Sequence, residues 1–181
     1  MELPAGTYCR IATGDPLHGP YHDEEYGFPV ASDSALFERL ILEINQAGLS
    51  WATILKKRAG FRVAYRAFDI DVVAAFGLSD VARLLADASI IRNRLKVEAA
   101  IENAKRLQAI RDEDGSFQAW LDRHHPRAKA DWVKLFKQTF RFTGGEIVGE
   151  FLQSTGYLAG AHHADCPVAA RVLAKKPAWL R

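Results

Sequence analysis

The two cysteines of this 181-residue chain stand near its opposite ends, and each has a histidine at a spacing that suits a metal. His22 follows Cys9 after twelve intervening residues, and Cys166 follows His162 after three. Zinc is usually held by thiolate and imidazole, and a site with four protein ligands is closed and structural. Cys9, His22, His162 and Cys166 are therefore read as one zinc site that ties the N- and C-terminal segments together. The rival reading is a disulfide between Cys9 and Cys166. Glu2, Pro4 and Gly6 interrupt any apolar run at the start, so no secretory signal is read and a cytoplasmic location is expected. Disulfides rarely persist there. His124, His125 and His163 are expected at the surface.

A second chemical candidate is an acid. Glu43 falls seven residues after Leu36, three after Leu40 and four before Ala47, along the edge of a helical apolar stripe. Glu38 should point to the opposite, solvated side. Periodicity alone favours a Glu43 that snorkels out at the stripe boundary. A carboxylate that does enter an apolar region needs a partner, and such groups are often functional. Trp51 follows closely, and His18, Tyr21 and Tyr26 crowd the N-terminal loop. Aromatic faces attract cations and stack on bases, although core packing is their commoner use.

The third candidate is a helical hairpin over residues 79–104. Its short turn carries Ile90 and Ile91, which would plug it into the core. Turn N–H groups and the dipole of the second helix suit a phosphate. Arg92, Arg94 and Lys96 add positive charge at the same place. Hairpins that bind phosphate usually have Gly in the turn, where Ser89 stands here, and many α-hairpins bind nothing. Lys56, Lys57 and Arg58 form another basic cluster, read as a solvated face.

The elements that must position these groups are helical almost throughout, so the fold class is all-α. Residues 1–31 read as irregular. A helix opens at Ser32-Asp33-Ser34 and ends at Gly48. A second carries Trp51, Ile54 and Leu55, and a third Phe61, Ala64, Tyr65 and Phe68. Short helices are expected near 71–76 and 79–87, the latter opened by Ser79. A turn at 88–92 leads into a long helix closed by Asp112 to Gly115. Further helices are expected at 116–123, 131–140 and 145–155, and a last one from Asp165. At 49% apolar and 25% charged residues, the chain can build a real core as one unit over 1–181. Within it, a core of about 32–140 carries the hairpin, and segments 1–31 and 141–181 are tied by the metal. A net charge of +2 permits nucleic-acid binding without arguing for it. No apolar run approaches a membrane span, and no phosphate-loop, dinucleotide or H-E-x-x-H motif occurs.

The order of these segments is specific. Cys9, Asp15-Pro16-Leu17, Tyr21-His22-Asp23-Glu24-Glu25-Tyr26-Gly27, Leu36-Phe37-Glu38, Leu42-Glu43 and Gln46-Ala47-Gly48-Leu49-Ser50-Trp51 follow one another. Ile54-Leu55-Lys56-Lys57-Arg58, Ile90-Ile91-Arg92-Asn93-Arg94, Phe142, Gly144, Gln153 and His162 to Cys166 continue the series. This pattern closely resembles the 3-methyladenine DNA glycosylase I family over nearly the whole chain. The resemblance implies a helix–hairpin–helix glycosylase that removes N3-methyladenine from alkylated double-stranded DNA. It also implies a monofunctional enzyme that leaves an abasic site. It places Cys9, His22, His162 and Cys166 on the zinc ligands and Glu43 on the base-recognising acid. Tyr21 and Trp51 fall on pocket aromatics, with His18 and Ile11 at further base-binding positions. Ser89, Ile90, Ile91, Arg92, Arg94 and Lys96 fall where the DNA backbone is held.

The chain also departs from that pattern. Ile11 and Tyr26 stand where tryptophan is common, His18 where tyrosine is, and Ser89 where the hairpin usually has glycine. Gly145-Glu146 replaces a Pro-Thr pair, and Gly160-Ala161 replaces Asn-Asp. A monomer is expected, nucleoid-associated when acting on DNA and without membrane contact. Two other functions stay open: a non-catalytic DNA- or lesion-binding relative or a glycosylase of shifted lesion preference, and a zinc hydrolase. Four closed ligands argue against the hydrolase.

Overall fold

The computed structural model describes residues 3–4 and 7–181, and among them every regular element is helical. Two short helices, α1 (Tyr8–Ala12) and α2 (Gly19–Glu24), organise the segment that sequence patterning leaves irregular. Both are too short to show a hydrophobic period. α3 (Asp33–Gln46) starts where expected, with Ser32 Oγ accepting from the Ala35 N–H. The two helices expected next are one continuous α4 (Trp51–Ala64), which Gly60 does not break. α5 (Ile70–Ala74) and α6 (Leu78–Ala86) lead through the hairpin turn to α7 (Arg94–Asp114). Then come α8 (Phe117–His124), α9 (Lys129–Thr139), α10 (Gly145–Ser154) and α11 (Pro167–Ala174). α6 begins at Leu78 rather than Ser79, and α11 at Pro167 rather than Asp165; a first-turn proline loses no helical hydrogen bond.

Between α4 and α5 the residues Arg66, Ala67 and Phe68 all take left-handed backbone, with φ of 52°, 53° and 57°. Such a conformation costs a non-glycine residue about 1–2 kcal/mol. Burial of Phe68, edge-on to Phe37 and stacked on Tyr65, offsets it.

α3 is the central helix and packs against α4, α7, α8 and α10. Leu36, Phe37, Leu40, Ile41, Leu42 and Ile44 are all fully buried, so α3 has no wet face over most of its length. That overturns the expectation for Glu38, which is buried and accepts from Arg58 Nε at 2.7 Å and Arg62 Nε at 2.8 Å. Arg58 also pairs with Glu25 at 2.6 Å, so it belongs to an internal ion network rather than to a solvated basic face. His124, His125 and His163 are half-buried rather than superficial. The first two pack edge-on against Trp120 and Tyr157.

The main core runs from Leu36 to Ala178 and includes Val148, Phe151 and Leu152 of α10. A smaller cluster gathers Cys9, Cys166, Val168 and Val172, with Leu3 and Phe28 against it. No helix among the described residues is long and apolar enough to cross a membrane.

Candidate functional site

Burying Cys9 and Ala12 on α1 fixes the orientation of that short helix. Its Cys9 thiol lies beside the ligand from the far end of the chain. Ligand atoms of Cys9, His22, His162 and Cys166 lie within 4.8 Å of one another. Cys9 Sγ and His162 Nδ1 are 3.7 Å apart, as are Cys166 Sγ and His22 Nε2. The outer nitrogens are held as well. His22 Nδ1 is 2.6 Å from Asp23 Oδ1, and His162 Nε2 is 2.7 Å from the Tyr26 carbonyl. Such partners orient a ligating imidazole and set its tautomer. The His163 N–H donates to Cys9 Sγ at 3.4 Å. Cys9 and Cys166 are free thiols, not a disulfide. The four side chains can hold a metal ion.

Next to this cluster opens a cavity of about 430 Å³, lined by Tyr8, Tyr21, Tyr26, Glu43, Gln46, Trp51, Glu146 and Glu150. That volume falls in the usual range for a small-molecule site. A hollow of similar size, about 420 Å³, runs along α7 from Leu95 to Phe142 but contains no buried acid. Glu43 is the decisive lining residue. It is 4% exposed and makes no hydrogen bond to the described residues, yet it faces the cavity. Burial, then the neighbouring Glu150, push its carboxyl up to about 8, and Arg39 works in the opposite sense. Glu43 does not snorkel, because α3 is buried on all sides.

The aromatic walls come from two directions. Tyr21 and Trp51 sit 5.0 Å apart between centroids, and Tyr8 and Tyr26 are 5.2 Å apart. Tyr21 is held from behind by Arg39, which donates to its hydroxyl at 3.0 Å and is fixed in turn by Glu25 at 2.7 Å. Burial pushes the Tyr21 phenol up to about 12, eased by Arg39. The Trp51 indole N–H is buried without an acceptor.

Two expected base-binding residues lie elsewhere. Ile11 is 54% exposed, because the buried face of α1 turns it to solvent. His18 stands behind Tyr8, with Nδ1 3.3 Å from the tyrosine hydroxyl, and does not line the cavity. Tyr8, Gln46, Glu146 and Glu150 were missed by sequence reasoning. Two signals existed: Tyr8 immediately precedes Cys9, and Glu146 and Glu150 are four apart on one helical face.

The hairpin turn packs on α4. A Cβ at Gly60 would come within 2.6 Å of the Ser89 carbonyl, and Lys57 donates to Ala88 O at 2.7 Å. Ile90 is buried and Ile91 half-buried against the core, as a plug requires. The Ser89 N–H is engaged by Asp87 Oδ1 at 2.8 Å, and the Ile90 N–H by Asp87 O at 3.4 Å. The Ile91 and Arg92 N–H groups donate to none of the described residues, and Arg92 and Arg94 are exposed. Lys96 is a correction. It is 5% exposed and donates to Asn45 O at 2.9 Å and Ala47 O at 2.7 Å, closing the C-terminus of α3. Carbonyls at a helix end have no intrahelical partner, and an inward ammonium satisfies them.

A family model of methyladenine glycosylases matches residues 11–133. The chain belongs to the methyladenine glycosylase family. A DNA-3-methyladenine glycosylase 1 of Escherichia coli is 36% identical over 177 residues, covering 87% of this chain and 94% of that one. A DNA-3-methyladenine glycosylase of Haemophilus influenzae is 31% identical, covering 89% and 97%. The solved 3-methyladenine DNA glycosylase I of Staphylococcus aureus, whose structure addresses 3-methyladenine recognition, superposes with a TM-score of 0.81. It has 33% identity and covers 91% of this chain and 97% of that one. The stretch matching the family model holds Tyr21, Glu43, Trp51 and the hairpin. Tyr8, Cys9, Glu146, Glu150, His162 and Cys166 lie outside it.

Proposed function

We propose that this chain is a DNA glycosylase that excises N3-methyladenine from alkylated double-stranded DNA and leaves an abasic site. The observation that carries the reading is Glu43, a buried carboxyl without a protein partner at the floor of an aromatic cavity. A group so placed destabilises the empty site and is satisfied by a guest with N–H donors and positive charge.

An adenine methylated at N3 is cationic while attached to its sugar, so it is already a good leaving group. The protein has to unstack it, hold it and read it; damaged bases cost less to unstack. Glu43 accepts from N–H groups on the base edge, giving up its own proton to solvent as the cation arrives. Tyr21 and Trp51 border the ring. Water attacks the sugar carbon as the glycosidic bond breaks. The bond electrons neutralise the departing base, and the water proton goes to solvent. Among the described residues no lysine lines the cavity, which supports a glycosylase without Schiff-base lyase chemistry.

The duplex is held by the free Ile91 and Arg92 N–H groups together with Arg92 and Arg94. The metal is zinc. In a tetrahedron with Zn–S of about 2.3 Å and Zn–N of about 2.0 Å, sulfur and nitrogen sit roughly 3.5 Å apart. The separations of 3.7 Å suit such a site. Cys9, His22, His162 and Cys166 would together fill a four-ligand site, in which the ion would supply structure rather than a step of catalysis. The working unit is the whole chain, 1–181.

The test is release of free base from methylated duplex DNA, resolved by chromatography. The wild type should release 3-methyladenine, and Glu43→Gln should lose about 100-fold or more of the rate. Unchanged excision by the variant would remove Glu43 from this role.

A further inference from the structure

The cavity that holds Glu43 contains a second acid to which neither the sequence motif nor the matched stretch gives a role. Glu146 and Glu150 lie one helical turn apart on α10, and both face the cavity. They differ in setting. The Glu146 side chain is 93% exposed at the mouth, with Lys129 Nζ 3.9 Å away. Glu150 is half-buried, and one of its oxygens accepts from the Tyr26 hydroxyl at 3.2 Å. Among the described residues no cation pairs with Glu150. None of the described lysines, arginines or histidines is among the lining residues of the cavity.

Two carboxyl groups therefore share one low-dielectric space, and the cation nearest to them, Arg39, stands behind Tyr21 rather than in the lining. Like charges in such a space disfavour each other; burial first and then the neighbouring Glu150 push the Glu43 carboxyl up, against the pull of Arg39. The unpartnered, almost fully buried Glu43 shows that the space is built for a guest. A cationic guest with donors on more than one edge would satisfy both acids; a neutral one would leave at least one of them uncompensated.

We propose that Glu150 is a specificity-determining residue: a second base-reading carboxylate, anchored by Tyr26, that makes the cavity select positively charged purines over neutral ones. The inference rests on the glycosylase reading above. The geometry gives the two acids distinct tasks. Glu43 holds the base at the floor, and Glu150 meets it from the α10 wall. Glu146 is solvated and near Lys129, so it contributes little.

The experiment compares wild type, Glu150→Gln and Glu146→Gln by calorimetric titration with two probes. One is 3,9-dimethyladeninium, a fixed cation, and the other is its neutral 3-deaza isostere. Excision from methylated duplex runs in parallel. Wild type should prefer the cation, and Glu150→Gln should narrow that preference at least tenfold and lower kcat/KM for excision by a similar factor. Affinity for abasic duplex should stay unchanged. Glutamine can still accept from Tyr26, so the wall stays in place. Glu150→Asp, which keeps the charge, should recover most of the preference, a result that a purely structural role does not give. A cation preference unchanged within twofold in Glu150→Gln overturns the inference. So does an equal loss in Glu146→Gln, which would mean a diffuse field effect. If wild type releases no base from methylated duplex, the glycosylase reading fails instead, whatever the titrations give.

Discussion

The base cavity and the hairpin are both candidate contacts with DNA, yet they are built on opposite principles. In the cavity, a buried carboxyl and a buried indole N–H have no hydrogen-bond partner among the described residues. In the hairpin, half of the groups expected to grip phosphate are already engaged: the Ser89 and Ile90 N–H groups with Asp87, and Lys96 with the end of α3. Unmet polar demand marks where a specific guest belongs. A surface whose donors are half satisfied positions a partner through a few exposed charges. Specificity should therefore reside almost wholly in the cavity, and the hairpin should supply salt-dependent affinity.

The sharpest break of this contrast is Glu43→Gln, which should abolish most base release while making the protein more robust in mild alkali. The Glu43 carboxyl keeps its proton up to about 8 in the native state, against an ordinary value of 4.5, because of burial and then Glu150, opposed by Arg39. Across that window the native state holds a proton that the unfolded chain gives up. Stability thus falls as pH rises, by about 1.4 kcal/mol per unit at the steepest. Denaturant melts of wild type and variant should converge near pH 4 and separate toward pH 8, with the variant the more stable. Parallel curves would mean that the acid is not buried.

Stripping the metal comes next. Chelation should lower Tm by about 10 °C and stop base release, and elemental analysis of the native protein should give one zinc per chain. Lys96→Met sharpens the hairpin side. It leaves the Asn45 and Ala47 carbonyls unsatisfied and should cost about 1–3 kcal/mol of stability. The salt dependence of duplex binding should stay as it was. The smallest effect is expected of Arg92→Ala, which should weaken duplex binding several-fold and reduce the slope of log affinity against log salt by about one. Base release at saturating DNA should be unchanged. A Lys96 variant that reduced the slope while Arg92→Ala did not would reverse the assignment.

Much of the scaffold was legible because α3 and α7 carry long helical periods and because a cap such as Ser32 acts locally. The metal cluster could be read because spacing and residue type suffice to name four soft donors. Depth was not legible. A 3.6-residue stripe presumes one wet face, and α3 has almost none, so Glu38 and Glu43 both lie deeper than their phase suggests. Nor could sequence tell that Lys96 turns inward, since the carbonyls it satisfies lie about fifty positions earlier in the chain. The acids of α10 were hidden for a related reason. Only the packing of α10 against α3 brings them to the cavity.

One feature of the metal cluster reaches further than tying two ends. Tyr8 and Tyr21 each precede a ligand by a single residue, and the Tyr26 carbonyl grips the ring of a third. Three of the eight lining side chains thus take part of their placement from four donor atoms, while the acid floor rests on α3. Tyr26, which stands where tryptophan is customary, sits on that tethered stretch, and exchange at such a position is the natural route by which this scaffold would drift toward new lesions.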